Sequence, residues 1–121
     1  MENKLVSILE GIELEQDFDV ILQGTLDPED GYPENFYTYW NWETPRDGFY
    51  DNRHSKVYWG FQIIAYSTDR NFLLKMTKKA IEELEKNNFI IDSDGGEDIA
   101  SNLQSHTGKM FEVSIIEIKE E

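Results

Sequence analysis

The stretch Lys56 to Tyr66 constrains this chain more than any other. Val57, Trp59, Phe61, Ile63 and Ala65 alternate with Tyr58, Gly60, Gln62, Ile64 and Tyr66. That is the period of two that sends successive side chains to opposite faces of a strand. A second aromatic segment precedes it, in which Phe36, Thr38, Trp40 and Trp42 alternate with Tyr37, Tyr39 and Asn41. Its ring types favour extended backbone, and its near lack of a polar face predicts cover on both sides. Residues 43–55 are polar and predict a long connection, so the two strands pair as an aromatic β-hairpin with an oversized tip.

Around this hairpin the periodicity turns helical twice. Leu5, Ile8 and Leu9 form the apolar stripe of a short N-terminal helix over 3–10, stopped by Gly11. Phe72, Leu73, Met76, Ala80, Ile81 and Leu84 form the stripe of a main helix over about 69–86, with Asp69 as its N-cap and its end near Asn87-Asn88. Bases in the middle of that helix and acids late in it oppose the macrodipole, so packing must hold it. Phe18–Leu22 and Phe89–Ile91 read as short strands, and Met110–Ile118 as the last one. A phase slip at Ile116 and Ile118 predicts a bulge there. Asp27–Pro33 and Asp92–Gly108 read as loops, the second with a single turn near Ile99–Leu103. The order predicts an α+β fold: an antiparallel sheet with a long aromatic hairpin, packed by the two helices.

At 121 residues the chain forms a single domain, 1–121, with aromatic residues enough for a real core. No apolar run approaches membrane-spanning length and no signal-peptide core opens the chain. Cysteine is absent, which removes disulfides and thiolate chemistry and makes the cytoplasm the default compartment. The net charge of −14 argues against specific nucleic-acid binding, because phosphates are held mainly by Lys and Arg. The charge is uneven. Residues 1–55 hold 13 acids against 3 bases, and residues 56–121 hold 12 against 8.

Chemical motifs are weak. Asp92-Ser93-Asp94-Gly95-Gly96-Glu97-Asp98 has the alternating carboxylates of a Ca²⁺ loop, but the EF-hand spacing fails and a polar turn is expected. His54, near Asp51 and Ser55, and His106, near Ser105, each stand in a polar loop, without the strained Gly-x-Ser-x-Gly elbow of a hydrolase. No phosphate-binding glycine loop occurs. The expectation is no enzyme, no cofactor and no metal.

The aromatics point elsewhere. Ten Phe, Tyr and Trp residues crowd into 37–66, more than so small a domain buries, and Trp and Tyr are favoured at interfaces. Tyr39-Trp40-Asn41-Trp42-Glu43-Thr44-Pro45, Phe49-Tyr50-Asp51-Asn52-Arg53-His54, Trp59-Gly60-Phe61-Gln62 and Tyr66-Ser67-Thr68-Asp69 together resemble small proteins of the morphogenesis clusters of long-tailed phages and prophages. These are tail-completion or tail-terminator proteins, also labelled head–tail joining or minor capsid proteins. The resemblance covers most of 35–115 and is weak over the N-terminal third. Where it expects Pro at the first helical position, this chain has Arg70.

The resemblance implies a virion structural protein with an α+β fold. It implies assembly into a homo-oligomeric ring, commonly a hexamer, that contacts other tail and head-connector proteins. Localisation would be the virion, assembled in the host cytoplasm, or the cytoplasm for a defective prophage. A ring needs two unlike patches per subunit. One is expected on the hairpin, with Trp40, Trp42, Phe49, Tyr50, Arg53 and Tyr58; the other on the helix, with Arg70, Lys75, Lys78 and Lys79. The alternative reading is an acidic cytosolic inhibitor or DNA mimic that binds a basic partner.

Overall fold

The computed structural model describes residues 2–23, 33–47, 54–92, 97–99 and 106–120, with backbone alone for residue 2 and over 42–47, 54–58, 97–99 and 117–120. The elements are α1 (Glu2–Glu10), β1 (Asp19–Leu22), β2 (Asn35–Asp47), β3 (His54–Ser67), α2 (Arg70–Lys86), β4 (Ile90–Ile91), β5 (Glu97–Ile99) and β6 (Thr107–Glu120). The strands form one sheet in the order β1-β2-β3-β6-β4, with β5 also pairing β6. Both helices pack on one face, so the fold is α+β.

The alternation that predicts the hairpin also builds the core. Phe61, Ile63 and Ala65 of β3 and Phe111, Val113 and Ile115 of β6 turn to the helices. There they meet Leu5 and Leu9 of α1 and Phe72, Leu73, Met76, Ala80 and Leu84 of α2. The helix ends follow local chemistry. Asp69 Oδ1 accepts the Asn71 backbone N–H at 2.9 Å, capping α2 as its sequence predicts. At the other end Asn88 takes φ 72°, and the Phe89 N–H bonds back to the Leu84 carbonyl at 3.0 Å. Asn tolerates this left-handed turn better than most residues.

Five expectations need correction. First, the sheet is mixed, because β1 runs parallel to β2, with Asp19 opposite Phe36 and Leu22 opposite Tyr39. Residues 23–34 are long enough for the return that a parallel pair requires. Second, 43–55 is less a loop than predicted: β2 runs on to Asp47 and β3 begins at His54. Pro45 is tolerated in the strand because the register shifts between Glu43 and Arg46, where no ladder donor is required of it. Third, β6 carries no bulge. Its register with β3 is unbroken from His54–Glu120 to Ser67–Thr107, and Ile116 simply faces away from the helices. Fourth, Glu97–Ile99 is a strand on β6, not part of a loop or turn. Fifth, His106 is buried, with Nε2 2.8 Å from the Pro33 carbonyl and its ring edge-on to Phe36. A carbonyl only accepts, so Nε2 carries a proton and serves as a structural donor there.

Tyr37 ties the hairpin to α2. Its ring is fully buried edge-on to Phe18, and its hydroxyl donates to the Met76 carbonyl at 2.8 Å. Burial pushes this hydroxyl well above the ordinary phenol range. The folded state therefore holds its proton where the unfolded chain has lost it. Stability from this group is fully present below pH 10, the ordinary value, and falls as pH rises beyond it. We expect unfolding free energy above pH 10 to drop with a slope up to about 1.4 kcal/mol per pH unit steeper than in Tyr37→Phe. Urea titrations of both proteins at pH 8, 10 and 11 test this; identical pH slopes refute it.

Candidate functional site

Two surfaces, on opposite faces of the sheet, collect the side chains that can make contacts. On the helix-free face, the β3–β6 register sets Gln62 opposite Glu112, Gly60 opposite Ser114, and Ile64 opposite Met110. Trp40 pairs with Gln62 in the same row. Phe36, Thr38 and Ile64 of this face are buried, and Phe36 stacks on Tyr66 with centroids 4.8 Å apart. Farther along it, apolar side chains emerge: Trp40 is 48% exposed, Ile116 46% and Ile90 55%. Gln62 and Glu112, then Gly60 and the small Ser114, lie between Trp40 and the two isoleucines in the register. Exposed apolar groups gathered on one face are the usual mark of a contact surface.

The helix side presents charge. α2 turns Lys75, Lys78, Lys79 and Glu82 outward at helical spacing. With Phe72 at its floor and Glu13, Leu14 and Glu15 on its other bank, this row forms a groove of about 510 Å³. Lys75 and Glu15 approach to 3.6 Å across it, but both are well exposed, so the pair contributes about 1 kcal/mol at most. A second cleft, of about 940 Å³, adjoins the first through Glu13 and Leu14. Glu10, Glu13, Asp17 and Asp19 line it together with Ile12, Phe18 and Val20, and no base among the described residues does.

A buried polar node holds these surfaces in place. Asn35, at the start of β2, donates to Gln16 Oε1 at 3.1 Å and to the Asp17 carbonyl at 3.2 Å. It accepts from Ser67 Oγ at 2.7 Å, and Ser67 Oγ in turn accepts the Asp69 N–H. One amide thereby links the 13–17 segment, the hairpin and the N-cap of α2.

The expected interface residues do not form one site. Lys75, Lys78 and Lys79 share the helix-side groove, and Arg70 opens α2 in an exposed position. Trp40 stands on the opposite face of the sheet. Trp42 and Tyr58 lie on β2 and β3, but their side chains are outside the described residues. Phe49, Tyr50 and Arg53 also lie outside the described residues. The lysine row, expected as one of the two ring patches, lies against acids of its own chain at 13–15. Sequence reasoning missed Ile90 and Ile116, although strict alternation from Phe111 already puts Ile116 on the far face. It also missed the acidic cleft, whose carboxylates are separated by irregular spacings.

Of the Asp92–Asp98 stretch, residues 93–96 lie outside the described residues. Among the described residues no group of three or more His, Asp or Glu is placed to hold a metal ion. No helix among them is long and apolar enough to cross a membrane. Comparison of the chain with models of known protein families and with curated proteins found no match.

Proposed function

We propose that this chain is a phage or prophage tail-completion protein, a subunit that closes into a ring at the head–tail junction and works by contact without catalysis. The observation that supports it best is the pairing of two unlike exposed surfaces on opposite faces of one sheet. The apolar face carries Trp40, Ile90 and Ile116, and the helix face carries Lys75, Lys78 and Lys79. A ring joins each subunit to the next through two different patches, and a chain with a single patch stops at a dimer. The α+β architecture agrees with what the resemblance over 35–115 implies. The partners are further copies of the chain and the tail and connector proteins above and below the ring.

Trp40 is the residue on which to test this. The substitution Trp40→Glu places a charge on the apolar face, where a neighbour must bury it. We expect the wild-type protein, mixed with its tail-tube partner, to give rings by electron microscopy and native mass spectrometry. Trp40→Glu should abolish them while retaining the far-UV circular dichroism of the wild type. Rings that persist in the variant, or their absence with every tail and connector protein supplied, would sink the proposal.

A second reading is favoured by the cleft lined by Glu10, Glu13, Asp17 and Asp19 with no base among the described residues. In it, those carboxylates occupy the basic groove of a nucleic-acid-binding partner. Duplex DNA should then displace the protein from that partner, and an indifferent complex excludes this reading.

A further inference from the structure

The geometry points to a two-fold dimer in which the outer edges of two β6 strands pair antiparallel over residues 116–120 and join the two sheets into one. On its inner side β6 is held by β3 along its whole length, from Thr107 to Glu120. On its outer side the described strands reach only part of it: β5 covers Gly108 to Met110, and β4 covers Val113 and Ser114. Chain direction explains the gap. From the turn at Asn88 the chain enters β4 opposite Ser114 and runs towards Gly108, away from the end of β6. Among the described residues no strand flanks the outer side of 116–120.

The backbone of that edge is ready to pair. The Asp92 N–H donates to the Glu112 carbonyl at 2.9 Å, so Glu112 turns its backbone groups outward. Backbone direction alternates along a strand and the β6 register is unbroken, so Ile116, Ile118 and Glu120 turn theirs outward as well. Free edges are commonly blunted by Pro, a bulge or short length. β6 has none of these in its last turn of sequence, Ile115-Ile116-Glu117-Ile118-Lys119-Glu120. Its charges there are of both signs, and their order identifies the partner.

The occupant is a second copy of this chain, because the segment is self-complementary in one register. A two-fold axis normal to the sheet sets one residue of β6 opposite itself. On Ile116 the partner strand would run into β4, which already pairs Ser114. On Glu117, Lys119 or Glu120 the axis brings like charges together, which destabilises an antiparallel pair. On Ile118 it sets isoleucine opposite isoleucine and Glu117 opposite Lys119 on both sides of the axis. In this register 118 with 118, and 116 with 120, are hydrogen-bonded pairs that exchange both N–H···O bonds. The Glu117–Lys119 pairs fall at the non-hydrogen-bonded positions, where opposed residues come closest. The contact uses neither Trp40 nor the lysines of α2, so it stands apart from ring formation.

Sedimentation equilibrium on the full chain alone, with no tail protein added, should show a wild-type dimer. Ile118→Pro removes the N–H at the axis, which points away from β3 and takes no part in the ladder within the subunit. It should abolish the dimer and keep the far-UV circular dichroism. Glu117→Lys and Lys119→Glu should each weaken dimerisation about tenfold, because each sets like charges opposite one another at two places. Glu117→Lys does so while lowering the net negative charge, so general repulsion is not the cause. Mixed in equal amounts the two charge variants should regain wild-type affinity, since both pairs are then attractive; misfolded variants would not. Trp40→Glu should leave this dimer intact, which separates the result from the fate of the ring. A monomeric wild type, a dimer that survives Ile118→Pro, or charge variants that mixing does not rescue each overturns the inference.

Discussion

Phe61→Ala will lower the unfolding free energy by about 3–5 kcal/mol, the range for deleting a buried aromatic ring. Phe61 is fully buried at the middle of β3, the strand held between β2 and β6. Its ring stacks on Trp59 at 6.1 Å and 3°, in the same core as Leu73 and Met76 of α2. The substitution removes this apolar area from the core and opens a void that its β-sheet neighbours cannot collapse into, because the hydrogen-bonded ladders on both sides hold the backbone apart. Domains of this size have about 5–15 kcal/mol in total, so the loss takes a large share. Urea unfolding followed by the fluorescence of Trp59 and the other indoles measures it. A loss below about 1 kcal/mol would mean that this face is not the core.

Asn35→Ala comes next, at about 1–3 kcal/mol. The side chain is buried and makes three hydrogen bonds to separate parts of the fold. Removing it leaves the hydroxyl proton of buried Ser67 without its acceptor, and a buried polar group left without a partner costs about 1–3 kcal/mol. Unlike the loss at Phe61, this one has a directional consequence. The 13–17 segment forms the bank of the lysine groove and the wall of the acidic cleft, so its tether controls both. Native-state hydrogen exchange should show faster opening around 13–20 and at the N-terminus of α2, with the β3–β6 ladder little changed beyond the global loss. Uniform acceleration everywhere would show that Asn35 stabilises the domain without positioning that segment.

The contrast between these two residues marks what could be read from the chain. Phe61 was legible as core because its neighbours two apart, Trp59 and Ile63, are apolar as well. Asn35 was not, because nothing local distinguishes a buried amide from a loop amide. Its three partners are 18 to 32 residues away. His106 was misplaced for the same reason: its carbonyl partner, Pro33, is 73 residues away. Asp69 was legible because a cap bonds within its own turn.

Local pattern alone was enough for the aromatic hairpin, the two helix stripes, the short strands at Asp19–Leu22 and Ile90–Ile91 and the α+β class. All of these follow from periodicities of two and 3.6 within a few residues, set by local backbone geometry. The sequence by itself also determined the acidity, since charge is a sum and needs no fold. That β1 runs parallel to β2 came from packing, because strand direction depends on where a chain returns and not on its pattern. Tertiary structure alone brought Lys75, Lys78 and Lys79 against residues 13–15 of the same chain, and set Trp40 on the far face from them. Those placements depend on which elements lie together after packing, and residues 60 positions apart carry no local mark of it.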